Sequence, residues 1–247
     1  MNSEKYIQGD LLYEGKAKKV YAVKNDARHL WLHFKDDLTA FNAQKRGSFE
    51  KKGAVNRDIA SMIFRHLEKA EINSHFVENI GERDMVCDKL EMIGLEVVVR
   101  NFVAGSFAKK FNLPEGARIP GGIVEFYFKN DALQDPFVSD DQALYLKAAR
   151  DQRELEMLKR LALHVNRELV DFFLALRVDL IDFKVEFGRN HNGDIVLADE
   201  ITPDSCRLWD RDSRERLDKD RFRRDLGGVG DAYKEILKRM REVYGGI

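Results

Sequence analysis

Ile181-Asp182-Phe183-Lys184-Val185-Glu186-Phe187-Gly188 alternates apolar and polar residues. Successive strand side chains point to opposite faces. Ile181, Phe183, Val185 and Phe187 therefore form a core face, and Asp182, Lys184 and Glu186 share the other. Asn192-Gly193 follows, a strong two-residue hairpin signal because both residues tolerate positive φ. Such a turn sets Glu186 opposite Asp199, with Cβ atoms about 5 Å apart. Opposed like charges destabilise a sheet by a few tenths to about 1 kcal/mol, a penalty that a cation between them offsets. Carboxylates completed by waters and phosphate oxygens are the usual Mg²⁺ site of ATP enzymes, and Lys184 would then reach a phosphate. The alternative is a solvated strand face with a Lys184–Glu186 pair. A turn of odd length would reverse the register.

Upstream, residues 11–14 and 20–23 read as strands around Gly15-Lys16-Ala17-Lys18-Lys19, a hairpin with a basic tip. The tip lacks the GxxxxGK[ST] pattern of a P-loop and the glycine set of a kinase loop. Its ammonium and backbone N–H groups still suit a triphosphate, with a solvated lysine-rich turn as the alternative. Residues 29–34, 85–90 and 95–100 read as further strands. Residues 56–70 carry Ile59, Ile63 and Leu67 at helical spacing. Ser139 through Gln142 resembles a capping box opening a helix. Leu155, Leu158, Leu161, Val165, Leu169, Phe172 and Leu176 form a long helical stripe. Residues 194–200 complete the acidic hairpin, and residues 231–244 form an amphipathic helix. Hairpins first and helices later predict an α+β fold rather than a doubly wound parallel sheet.

Arg100-Asn101-Phe102-Val103-Ala104-Gly105-Ser106 places an arginine at a strand end and a Gly-Ser pair at a helix start, over residues 106–111. Free N–H groups and the dipole at a helix N-terminus attract anions, and arginine adds bidentate phosphate contacts. The arrangement suits a phosphomonoester; an ordinary helix cap beside a surface arginine is the alternative. Two phosphate grips and a metal site together suggest a nucleotide plus a phosphorylated second substrate.

Composition narrows the class. The 247 residues allow one large or two small domains, and 44% hydrophobic with 34% charged residues argues against disorder. Lys plus Arg is 42 against 43 Asp plus Glu, with none of the basic surplus of a general nucleic-acid binder. Two cysteines, Cys87 and Cys206, lie far apart without metal spacing and fit a reducing cytoplasm. The N-terminal ten residues have no apolar core of a signal peptide. The most apolar stretch, 170–181, is broken by Asp171, Arg177 and Asp179 and cannot span a membrane.

Residues 13–18, 100–106, 181–188 and 199–210, together with 217–225, resemble the SAICAR synthetase family, in family order across nearly the whole chain. Gly94 stands where the family strand usually begins with proline. Residues 50–53, Glu-Lys-Lys-Gly, differ from the frequent Gly-Lys-Gly. The resemblance implies a fold related to ATP-grasp enzymes, with a small kinase-like, β-rich, nucleotide-binding N-terminal lobe (1–87) and a larger α+β substrate- and metal-binding lobe (88–247). It implies ATP- and Mg²⁺-dependent condensation of carboxyaminoimidazole ribotide with L-aspartate, yielding the succinocarboxamide, ADP and phosphate, by a cytoplasmic homodimer. Carried onto this chain, the turn at Gly15, Lys16, Ala17 and Lys18 would hold ATP phosphates, with Lys184 beside them. Glu186 and Asp199 would bind magnesium. Arg100, Ser106 and Arg207 would hold the ribotide phosphate. Backbone near Lys89 and Leu90, within 85–92 and ending at Met92, would meet the adenine. Residues 39–42 fit a family segment near the substrates. The HRD and DFG motifs of a kinase are missing; another carboxylate–amine ligase and a nucleotide-binding regulatory module are the other rivals.

Overall fold

The computed structural model describes residues 5–40 and 44–245. In chain order the strands are β1 (Gln8–Glu14), β2 (Lys18–Val23), β3 (Asp26–Phe34), β4 (Asp37–Ala40), β5 (Lys45–Ser48), β6 (Phe76–Ile80), β7 (Asp84–Asp88), β8 (Glu91–Phe102), β9 (Arg118–Phe128), β10 (Phe137–Val138), β11 (Val178–Arg189), β12 (Ile195–Ala198) and β13 (Cys206–Asp210). The helices are α1 (Lys52–Lys69), α2 (Gly105–Phe111), α3 (Asp140–Tyr145), α4 (Gln152–Ala175), α5 (Asp220–Arg223) and α6 (Val229–Tyr244). The predicted α+β class holds. A five-stranded sheet runs β1-β2-β3-β7-β6, and a six-stranded sheet runs β10-β9-β8-β11-β12 with β13 also on β11. Lys89 and Leu90 link β7 of the first sheet to β8 of the second. Residues 41–43 fall outside the described residues, so of the segment 39–42 only Thr39 and Ala40 are located.

β11 lies between β8 and β12, and its odd-numbered residues Ile181, Phe183, Val185 and Phe187 are buried as the alternation predicts. The stripe of α4 covers the sheet: Leu155, Leu158, Val165, Leu169, Phe172 and Leu176 are all buried. Ser139 does form a capping box, but it opens only the short α3. α4 starts anew at Asp151, whose side chain accepts from the Glu154 N–H at 2.9 Å. Among the described residues no helix is long and apolar enough to cross a membrane.

The hairpin after β11 differs from the two-residue turn. Glu186 pairs with Ala198 and Arg189 with Ile195, so the loop spans residues 190–194. Asn190 organises it: its side-chain oxygen accepts from the N–H groups of Asn192 and Asp194, both at 2.9 Å. That Asx geometry satisfies the backbone locally and competes with the tight turn. The register therefore shifts by one, and Ala198, not Asp199, sits opposite Glu186. Asp199 nevertheless reaches the Glu186 side because its φ of 62° breaks the strand alternation just past β12.

The two family departures also find their places. Lys52 is 1% exposed and donates to Asp204 Oδ2 at 2.5 Å. A Cβ on Gly53 would fall 2.3 Å from the Phe34 carbonyl oxygen, so only glycine fits there. At Gly94 a Cβ would make ordinary contact with Ala148, at 3.6 Å.

Candidate active site

The even face of β11 is a buried charge cluster. Lys184 Nζ lies 2.8 Å from Glu96 Oε1, 3.3 Å from Glu186 Oε1 and 3.6 Å from Asp199 Oδ2. Lys18, first residue of β2, pairs with Asp199 and lies 3.3 Å from Glu200 Oε2. Lys129, just past β9, pairs with the other oxygen of Glu186. The sequence reading missed Glu96, Lys129 and Glu200. Glu96 comes in through the register of β8 on β11, which local patterning does not reveal.

The field of this cluster follows from its packing. Burial alone would lower the pKa of Lys18, but Asp199 and Glu200 outweigh it and hold the ammonium above its ordinary range. Lys184 is raised in the same way, by Asp199, Glu186 and Glu96 against burial. Burial would push the Asp199 carboxyl up; Lys18 and Lys184 hold it well below the usual range. Glu200 is raised, chiefly by burial.

One ammonium, Lys184, touches both Glu186 and Asp199, so both carboxylates can serve a single cation. Hard carboxylate oxygens are the donors Mg²⁺ prefers. Among the described residues no group of three or more His, Cys, Asp or Glu side chains forms a complete metal cage. Two carboxylates completed by phosphate oxygens and water are the arrangement that a nucleotide-borne Mg²⁺ uses.

Lys184 also lines a cavity of about 380 Å³ that collects five more of the predicted residues. Lys16 and Ala17 enter from the β1–β2 turn, and Arg100, Ser106 and Arg207 from β8, α2 and β13. The turn is closed by the Gly15 N–H donating to the Lys18 carbonyl at 2.8 Å. Lys16 Nζ pairs with Asp131 Oδ1 at 2.8 Å on the surface.

Arg100 is 3% exposed and engaged through all three nitrogens. It donates to Glu125 Oε2 (2.7 Å), Asp182 Oδ2 (3.1 Å) and the Tyr127 hydroxyl (3.1 Å), with Ser106 Oγ at 3.5 Å. Arg207 donates to the same Asp182 Oδ2 at 2.7 Å and to Asp220 Oδ2 at 3.0 Å. Asp182 thus ties both guanidinium groups into one clamp. At the start of α2, which has seven residues, the Gly105 N–H donates to Glu115 Oε1 at 3.1 Å.

Lys89, Leu90 and Met92 do not line this cavity. The Lys89 N–H donates to the Arg28 carbonyl at 2.7 Å, and Leu90 packs on Gly188, where an added Cβ would lie 2.7 Å away. Met92 is 44% exposed on β8. Asp182, Tyr127, Asp204, Lys219 and Arg223 also face the cavity and were missed. For Asp182 the alternation signal was already present; the others depend on tertiary packing.

An α+β scaffold whose two sheets meet at buried lysines and paired carboxylates, beside a two-arginine clamp, is the kind of scaffold found in enzymes that handle phosphorylated substrates. The family model for SAICAR synthetase matches residues 11–240. A phosphoribosylaminoimidazole-succinocarboxamide synthase from a Nitratiruptor species is 52% identical over 95% of this chain and 98% of its own. The structure of the corresponding synthase from Ehrlichia chaffeensis superposes with a TM-score of 0.91 at 40% identity, covering 94% of this chain and 98% of that one. A SAICAR synthetase solved in complex with ADP gives 0.89 at 46% identity, covering 92% and 96%. The chain belongs to the SAICAR synthetase family.

Proposed function

We infer that the chain carries out the family's reaction, the ATP-dependent condensation of carboxyaminoimidazole ribotide with L-aspartate to SAICAR, ADP and phosphate in purine biosynthesis. The observation that carries this reading is one strand. β11 presents Asp182 to the two-arginine clamp and, two and four residues on, Lys184 and Glu186 to the lysine–carboxylate cluster. The acceptor's phosphate and the nucleotide's triphosphate are thereby assigned to neighbouring stations. The ADP-bound relative supports nucleotide use.

Arg100, Ser106 and Arg207 hold the ribotide phosphate in this reading. Lys16, the Ala17 backbone, Lys18 and Lys184 hold the ATP phosphates, with the adenine near residues 89–92. Glu186 and Asp199 hold Mg²⁺, which supplies charge neutralisation on the phosphate oxygens. The imidazole carboxylate is a poor electrophile. Its oxygen attacks the γ-phosphorus, the bond to ADP breaks, and an acyl phosphate forms. The aspartate amine attacks the acyl carbon, loses a proton and expels phosphate. Positioning and fixed positive charge do most of the work.

The link between the sheets at Lys89 and Leu90 lies beside the boundary of the proposed lobes, 1–87 and 88–247; the kinship with ATP-grasp enzymes is proposed from the family resemblance. A cytoplasmic homodimer is the assembly we propose from the family resemblance. The test is an omission series with Mg·ATP, ribotide and aspartate. ADP release that requires both co-substrates is the expected result. ADP without aspartate would indicate a kinase, and none at all a binding module.

A further inference from the structure

We propose that Lys219 and Arg223 form the subsite that holds the two carboxylates of L-aspartate. The proposal rests on the ligase reading above. Lys219 caps α5 and Arg223 ends it. Residues four apart on a helical turn share a face, and both side chains line the 380 Å³ cavity that also holds the Arg100–Arg207 clamp.

Two cations at this spacing repel each other; Asp220 offsets the charge of Arg223, but no carboxylate lies within hydrogen-bond distance of Lys219 among the described residues. The nearest carboxylate oxygen to Lys219 Nζ is Asp204 Oδ1, at 3.8 Å. Asp204 is already taken: Lys52 donates to it at 2.5 Å, and Asn56 and the Tyr233 hydroxyl at 2.8 Å each. Lys219 Nζ makes no hydrogen bond within the described residues, although only 16% of its side chain is exposed. Its pKa is lowered, first by burial, with Arg223 and Lys52 adding to the effect against Asp204 and Glu200. Arg223 spends one nitrogen, Nη1, on Asp220 Oδ1 at 2.6 Å. Asp220 also holds Arg207, so one buried carboxylate sets the distance between this pair and the phosphate clamp.

The neighbouring arginines differ in their pairing. Arg100 and Arg207 are neutralised by Asp182, Glu125 and Asp220, whereas Lys219 stays short of an anion. Two cations about 5–6 Å apart at their Cβ atoms suit an anion with two charged ends. Of the substrates, aspartate has two carboxylates and an amine. With the carboxylates held at α5, the amine is left to face the centre of the cavity, where Lys184 marks the side of the triphosphate.

Lys219→Gln and Arg223→Gln test the subsite in the full-length enzyme by steady-state kinetics with each substrate varied. Each should raise the aspartate KM by about tenfold or more, as for a lost charged hydrogen bond, with the ribotide and ATP KM values held within about twofold. A ribotide KM that rises as much as that of aspartate would reassign the pair to the ribotide and overturn the proposal. An unmoved aspartate KM would overturn it too. Should a glutamine variant fail to fold, Lys219→Arg keeps the charge and should retain most of the aspartate affinity; a full loss there counts against the proposal. Succinate, with two carboxylates and no amine, should compete with aspartate and not with ribotide in the unaltered enzyme; failure to compete with aspartate is a further contrary result. If the unaltered enzyme releases no ADP with both co-substrates, the ligase reading itself falls. If it does and the variants keep their aspartate KM, only the subsite falls.

Discussion

Gly105→Ala tests how the backbone holds the Arg100–Arg207 clamp. Gly105 has φ +56°, and an ideal Cβ there would lie 2.4 Å from Arg207 Nη2 and 2.6 Å from its Cζ. Left-handed backbone costs a non-glycine residue roughly 1–2 kcal/mol. The guanidinium must also move, which loosens its bonds to Asp182 (2.7 Å) and Asp220 (3.0 Å). A hydrogen bond to a charged group contributes about 1.5–3 kcal/mol, so losing one brings the total to roughly 3–5 kcal/mol. For a chain of this length that lowers Tm by about 10 °C. Since Arg207 would hold the ribotide phosphate, the ribotide KM should rise by about tenfold or more, with the ATP KM nearly unchanged. Thermal melts and steady-state kinetics read the two effects separately. The decisive comparison is a double-mutant cycle. In an Arg207→Ala background the clash is gone, so Gly105→Ala should cost only the backbone strain and raise the KM no further. An equal KM rise in both backgrounds would refute the argument that the glycine acts through Arg207.

Glu186→Gln should cut turnover by about a hundredfold or more with the fold retained by circular dichroism; near-normal activity at ordinary magnesium would remove the metal role. Chelation should abolish activity while leaving Tm within about 2 °C, because Lys18, Lys129 and Lys184 already neutralise the carboxylates. Arg100→Ala should raise the ribotide KM far more than the ATP KM; it should also cost about 3 kcal/mol in denaturant melts by removing the ion-pair partner of buried Glu125 and leaving Asp182 to Arg207 alone. Asp204→Asn should destabilise by about 3–5 kcal/mol near pH 7. Burial pushes this carboxyl up, but Lys52 and Lys219 hold it well below its ordinary value. A depressed folded pKa stabilises above the unfolded value and is lost as pH falls through the folded one. The gap between Asp204→Asn and the unaltered protein should therefore narrow below about pH 4; a constant gap would show that packing, not charge, is at stake.

Local periodicity alone determined a good deal: the two faces of residues 181–188, the basic turn at 15–19, the stripe from Leu155 to Leu176 and the arginine at the end of β8. Those features depend on neighbours a few residues away, and alternation or a helical repeat reports them directly. The tertiary structure decided the rest. The strongest sequence argument, Glu186 opposite Asp199, failed in its register because Asn190 built a longer loop; the two side chains meet only because Asp199 turns left-handed. Asp182 joins Arg100, 82 residues away, to Arg207, 25 residues away. Lys18 meets Asp199 across 181 residues, and Lys219 is left without a close anion because Lys52 reaches Asp204 first. Contacts of that span are set by strand order and by competition among buried charges, which the spacing of residues along the chain does not encode.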